Sequence, residues 1–211
     1  MKELLDKIKP ILNKIVVFYK KISDVATPTA VLSIICVVVT LALSSANALT
    51  HKKIEALAIQ TKNSAMEKLI KADEYHELQA ITTFGDVTYN AAIKNGDTIG
   101  CIFTISAKGY GGDIQVMTAV NMDGTVAAVE ILDASGETPG LGQNVSKETF
   151  YSQFAGLKKG VTAIKGGAAN IENNEINAVT GATISSKAVT TAVNQALDYA
   201  AEIVVKGDEL Q

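Results

Sequence analysis

The sequence contains no arginine: its 19 basic residues are all lysine, against 22 Asp and Glu, for a formal net charge of -3. Nucleic-acid binders ordinarily carry a basic surplus and arginine for bidentate contacts, so nucleic acid is not an expected partner. There are two cysteines, Cys36 and Cys101, no Cys-x-x-Cys pair, and two histidines, His51 and His76. That stock of ligands does not build a zinc or iron–sulfur site from this chain alone, and no metal ligand is assigned. The histidines lie far from any nucleophile signature, which argues against Ser-His-Asp or Cys-His chemistry. No residue is assigned a catalytic role. No Walker A pattern occurs, and no G-x-G-x-x-G follows a strand and opens a helix.

Long repeats and low-complexity linkers are also missing. What is present is a composition 47% hydrophobic and 19% charged, enough for a packed core. Residues 29–50, TAVLSIICVVVTLALSSANALT, carry no charge at all. About 20 helical residues cross the hydrocarbon layer of a bilayer, so this run is expected to be a transmembrane helix. Pro28 stands at its start, where proline is tolerated. Residues 1–28 hold six lysines against Glu3, Asp6 and Asp24, while 13 lysines and 19 acidic residues follow position 50. The positive-inside rule then puts residues 1–28 in the cytoplasm and the acidic remainder outside. Residues 4–22 mix apolar residues with lysine and suggest a short amphipathic helix on the cytoplasmic surface. A second reading stays open: Ala46-Asn47-Ala48 fits a signal-peptidase site, and a cleaved product would be a secreted domain. Cys36 follows two isoleucines rather than small residues, so it reads as an apolar thiol inside the span.

Beyond the span, residues 51–80 show apolar residues at helical spacing and are expected to form a helical linker. Residues 87–93, 99–106, 114–120 and 126–132 read as about four antiparallel strands, with Asn95-Gly96 and Asp123-Gly124 as hairpin turns. Ser146 looks like the cap of a short helix over 147–154, and 161–164 like a strand. A helix is expected from Ser186 to about 205, with Val189, Val193, Leu197, Ala200 and Val204 on one face. The expected fold is α+β: an antiparallel sheet packed by helices over residues 81–211.

Two stretches carry candidate chemistry. Residues 178–189, AVTGATISSKAV, place Thr180-Gly181-Ala182-Thr183 just ahead of a helix start. Gly181 and Ala182 leave the backbone open to a bulky group. The helix N-terminus that follows favours an anion such as phosphate. The plainer reading is a turn with Ser185 or Ser186 as N-cap. The second stretch, Glu137-Thr138-Pro139-Gly140-Leu141-Gly142, is a glycine-flanked loop that lets amides approach a flat ring, with Leu141 as apolar cover. Asn144-Val145-Ser146 fits a glycosylation acceptor, a triplet common by chance.

Taken together, the two stretches resemble the FMN-binding domain found in the G-subunit of the Rnf complex and in the C-subunit of the Na+-translocating NADH:quinone oxidoreductase. The order of parts resembles that family as well, with a short N-terminus, one span and an external domain. So does the GYGGDIQV turn. The resemblance implies FMN joined through its phosphate to Thr183. It implies Glu137, Thr138, Leu141 and Gly142 on the ring and ribityl side, and Thr180, Gly181, Ala182, Ser185 and Ser186 around the phosphate. Lys165 is a candidate partner of phosphate or a ring oxygen, and Tyr110 a candidate cover for a ring edge. Both also read as ordinary surface residues. The chain departs from the family pattern at Asn177, where an acidic residue often stands.

The implied function is electron transfer within a membrane complex that pumps ions while passing electrons between ferredoxin and NAD+. The implied partners are the other Rnf subunits and a flavin transferase using FAD and Mg2+. Two other functions compete: a flavin-free, membrane-anchored interaction module, and a secreted flavin reductase if the chain is cleaved after Ala48.

Overall fold

The structure is a computed structural model. It describes residues 2–167 and 169–208, with side chains over 26–51, 53–54, 56–167 and 169–204. The chain divides into two compact units, residues 1–57 and 58–211.

The first unit is helical. Helix α1 runs from Lys2 to Leu69 and continues into the second unit. Within it, Ala26–His51 is long and apolar enough to cross a membrane, with a mean hydropathy of 2.3 and no residue of its most apolar window buried by protein. Val31, Leu32, Ile34, Ile35 and Leu41 all expose half or more of their surface. A helix apolar on every side suits lipid rather than water. Thr40 and Thr50 return their hydroxyls to the backbone, donating to the carbonyls of Cys36 and Ala46. The backbone is helical over 4–22, but the expected amphipathic pattern of side chains there lies outside the described residues.

The second unit is a five-stranded antiparallel sheet in the order β1-β2-β3-β4-β5. The strands are β1 (Glu74–Thr82), β2 (Gly85–Lys94), β3 (Asp97–Lys108), β4 (Asp113–Asn121) and β5 (Val126–Asp133). Each hairpin follows from its turn residues. Asn95 and Gly96 both take positive φ, the requirement of a tight β2–β3 turn. Asp123 accepts from the Thr125 amide and hydroxyl at 2.9 and 2.6 Å, and Gly124 supplies the left-handed residue between β4 and β5.

The expected helical linker over 51–80 requires correction. The helix ends at Leu69, and Glu74–Thr82 is the edge strand β1, paired with β2 without a break from Glu74↔Ile93 to Thr82↔Gly85. Glu, Leu, Gln and Ala favour helix in isolation, and cross-strand pairing overrides that preference. The expected helix over 147–154 is smaller than foreseen. It is a four-residue α2 (Glu148–Tyr151) between 3-10 turns, and its N-cap, Lys147, makes no side-chain capping bond.

A short parallel pair, β6 (Thr162–Ile164) and β7 (Glu175–Asn177), leads into the long helix α3 (Thr183–Asp208). Alternation in the central strands divides the core. Cys101 and Phe103 of β3 with Val116 and Val120 of β4 meet the Val189, Ala192, Val193, Ala196 and Leu197 face of α3. Ile102, Met117 and Ala119 point the other way, onto Ala65, Met66 and Leu69 at the end of α1. The sheet therefore has a helix on each face. Small residues at 188, 192, 196 and 200 are buried where α3 lies on the sheet. Phe103 is fully buried, stacked on Tyr89 with ring centroids 5.7 Å apart and tilted against Tyr199 at 6.1 Å. Burial pushes the Cys101 thiol up to about 11, so this cysteine is an inert core residue.

This packing sets the first expectation. Phe103→Ala should lower the unfolding free energy of the detergent-solubilised chain by about 3–5 kcal/mol, the usual loss for a buried Phe truncation, read by urea titration. A loss below about 1 kcal/mol would show that α3 does not rest on β3 as described.

Candidate functional site

The site starts from two turns. The amide of Leu141 reaches the Thr138 carbonyl at 3.2 Å across Pro139 and Gly140, with Gly140 at φ +76°. The amide of Ala182 reaches the Val179 carbonyl at 3.0 Å across Thr180 and Gly181, with Gly181 at φ +77°. Both place glycine where a type II turn requires positive φ. The turns face each other: a Cβ on Gly181 would stand 2.9 Å from Leu141 Cδ2. Asn144 tightens the first turn by donating from Nδ2 to the Gly140 carbonyl at 2.6 Å.

The second turn feeds directly into α3, which begins at Thr183 rather than at Ser186. Ser185 and Ser186 therefore lie within its first turn instead of capping it. Ser186 is fully buried; its hydroxyl accepts from the Val179 amide and donates to the Ala182 carbonyl, both at 2.9 Å. It fixes the angle at which the turn enters the helix.

Glu137 joins these parts to the β3–β4 hairpin. Only 2% of its surface is exposed. Its Oε1 accepts from the Gly111 amide at 3.0 Å, and its Oε2 accepts from the Ser185 hydroxyl at 2.6 Å. Burial pushes this carboxyl up. The Ser185 hydroxyl and the amides of Gly111, Tyr110 and Gly112 outweigh burial and hold it below its ordinary value. Three successive amides around a carboxylate form a backbone nest. The glycines are steric requirements: a Cβ on Gly109 or Gly142 would collide with the Glu137 carboxylate, and one on Gly111 with the Gly136 carbonyl.

The turns, the nest and the start of α3 enclose a cleft of about 500 Å3. Thr183, half-buried, lines it with Gly181, Ala182 and Ser185. Glu137, Thr138, Leu141 and Gly142 form the opposite wall. Lys165, the residue after β6, and Tyr110 complete it, and both are exposed. The structure thus brings together nine of the eleven residues singled out for cofactor contact, and Tyr110 besides. Thr180 and Ser186 are not on the lining; Thr180 is exposed on the turn and Ser186 lies beneath it. Ile184, which sequence reasoning passes over, also lines the cleft with 54% of its surface exposed. The glycine nest escapes that reasoning too, although three glycines within the four residues 109–112 are its signal.

Asn177 is the last residue of β7 and is not on the cleft lining. Its Oδ1 accepts from the Ala169 amide at 3.2 Å, and its own amide donates to Gln153 Oε1 at 2.9 Å. The acceptor role toward Ala169 is one an aspartate fills equally well.

The size of the cleft falls within the usual range for cofactor sites. The first amides of α3 lack an intrahelical carbonyl, and the helix end favours an anion there. A cation, Lys165, stands on the same lining. A hydroxyl, an anion-favouring helix end and open glycine backbone fit a phosphorylated ring cofactor.

The lowered carboxyl of Glu137 sets the sign of a pH effect. A depressed folded-state pKa contributes stability above the ordinary value of 4.5, and that contribution fades as pH falls through the depressed value. Glu137→Gln should therefore melt below the unsubstituted chain at neutral pH. The difference should narrow on acidification below about 4.5. A gap that stays constant or widens contradicts the assignment.

Comparison with known proteins bears on this geometry. Residues 109–198 match the FMN-binding domain family. The chain is 34% identical to the G-subunit of the proton-translocating ferredoxin:NAD+ oxidoreductase complex of Clostridium ljungdahlii, over 79% of this chain and 86% of that one. It is 32% identical to the G-subunit of the Na+-translocating ferredoxin:NAD+ oxidoreductase complex of Acetobacterium woodii, over 79% and 87%. The C-subunit of the Na+-translocating NADH-quinone reductase of Parabacteroides distasonis superposes with a TM-score of 0.50 at 25% identity, over 58% of this chain and 64% of that one. The chain belongs to the family of G-subunits of ion-translocating ferredoxin:NAD+ oxidoreductase complexes, and its C-terminal part is an FMN-binding domain.

Proposed function

We propose that this chain is an electron-carrying subunit of a membrane-bound ferredoxin:NAD+ oxidoreductase that moves ions, and that FMN is esterified through its phosphate to Thr183. The observation that carries the reading is the position of Thr183: a half-buried hydroxyl at the first residue of α3, on a cleft shared with the Glu137–Gly142 loop. FMN, when bound, supplies one- and two-electron redox chemistry.

The chain's own residues hold and shield it. Gly181 and Ala182 leave room beside the Thr183 oxygen, and the orphan amides of α3 face a phosphate there. Lys165 offsets phosphate charge. Leu141 and Tyr110 give apolar cover at the mouth, and Glu137 keeps the two walls in register. A threonine hydroxyl is a weak nucleophile at neutral pH, so attachment calls for a separate flavin transferase. With FAD as donor, the Thr183 oxygen bonds to the FMN phosphorus, the phosphoanhydride breaks, AMP leaves, and the hydroxyl proton passes to base. Tethering raises the cofactor's effective concentration at its site and prevents its loss by dilution.

Residues 29–50, within the apolar stretch Ala26–His51, anchor the domain in the membrane, with residues 1–28 cytoplasmic and the flavin domain outside. The lysine excess ahead of the span supports this orientation. The remaining subunits of the complex are its partners.

Co-expression with a flavin transferase should give a yellow protein whose band fluoresces on a denaturing gel. Thr183→Val should abolish the fluorescence while Thr180→Val retains it. Fluorescence that survives Thr183→Val overturns the attachment site. Unsubstituted protein that stays colourless favours a flavin-free interaction module.

A further inference from the structure

Ser185 has one hydroxyl hydrogen, and the structure gives it to Glu137 Oε2 at 2.6 Å. Glu137 cannot release it cheaply, because its other oxygen is already engaged by the Gly111 amide and only 2% of the residue is exposed. A hydroxyl whose hydrogen is committed offers only lone pairs on its remaining side. Ser185 is itself 1% exposed and lies on the cleft lining.

We propose that Glu137 is a positioning residue that sets the polarity of this wall: through Ser185 it presents a hydrogen-bond acceptor backed by a buried negative charge. The proposal rests on the flavin reading above. Two consequences follow. First, the wall accepts from an N–H or O–H of the cofactor and repels a phosphate oxygen. Phosphate is thereby directed to Thr183 and Lys165, and the ring or ribityl donors to Ser185, which the family resemblance had placed around the phosphate. Second, a fixed carboxylate in a poorly solvated wall opposes any gain of negative charge nearby. An electron taken up without a proton adds one such charge, so Glu137 holds the flavin at a lower midpoint potential than a neutral wall would. The Ser185 O–H dipole points its positive end at the carboxylate and its negative end into the cleft, so it adds to this effect.

The two residues should therefore act with the same sign and unequal size. Glu137→Gln keeps the shape and removes the charge. Ser185→Ala keeps the charge and removes only the acceptor and its dipole. The test is a spectroelectrochemical titration of the flavinylated, detergent-solubilised full chain, at a pH well above the carboxylate range. Both should shift the midpoint upward beyond the error of the titration, Glu137→Gln by more than Ser185→Ala. Loss of packing alone has no reason to move both upward in that order. A downward shift in either, or none in folded and flavinylated variants, overturns the proposal. Where Glu137→Gln does not fold, Ser185→Ala decides alone: an upward shift supports the proposal, and a downward shift or none overturns it. Unsubstituted protein without a fluorescent band overturns the flavin reading and this proposal together, and the gel shows that before any titration.

Discussion

A single buried carboxylate ties the site together. Glu137 accepts one hydrogen bond from the β3–β4 hairpin and another from the first turn of α3, and it belongs to the Pro139 loop by sequence. Hydrogen bonds to a charged group contribute about 1.5–3 kcal/mol each, and an unpaired buried charge costs more than that. Three segments distant in sequence are thus locked by one anion. The close-packed glycines are the steric counterpart of that lock: a Cβ at 109 or 142 would strike the carboxylate, and one at 111 or 136 the backbone facing it. Leu141 then meets Gly181, and the cleft keeps its width.

From that constraint the rest follows in order. The sheet gives α3 a flat apolar bed, and small residues let the helix settle onto it. The bed fixes the direction of α3, and the Val179–Ala182 turn fixes where it starts. The start of α3 presents both an anion-favouring helix end and the Thr183 hydroxyl. A redox group tethered at that point, as proposed, would be held by a rigid element rather than by a free loop, as electron transfer at defined distance requires. The apolar helix of the first unit is suited to confine the chain to a membrane, where partner subunits can work beside it.

Much of this is legible in the sequence because it depends on local rules. The Asn95-Gly96 turn, the four strands β2 to β5 and the apolar face of α3 each follow from periodicity and turn chemistry, and the structure shows them. The loop of residues 137–142 and the Thr180–Thr183 turn stand out by glycine and proline placement, and they meet in one cleft. What is not legible is long-range. Strand β1 reads as helix locally and becomes strand only through β2. The role of Ser185 depends on Glu137, 48 residues away. Ser186 has the chemistry of a cap, yet α3 starts three residues earlier and buries it. The nest of residues 109–112 is visible only once Glu137 is folded into it.

The central claim is that the Thr183 oxygen carries the flavin. Its most direct measurement is the mass of the intact chain purified from cells that also make a flavin transferase, followed by mapping of the peptide that carries any added mass. The account predicts a gain of one FMN less one water, located on Thr183. An unmodified mass, or the same gain on any other residue, would contradict it.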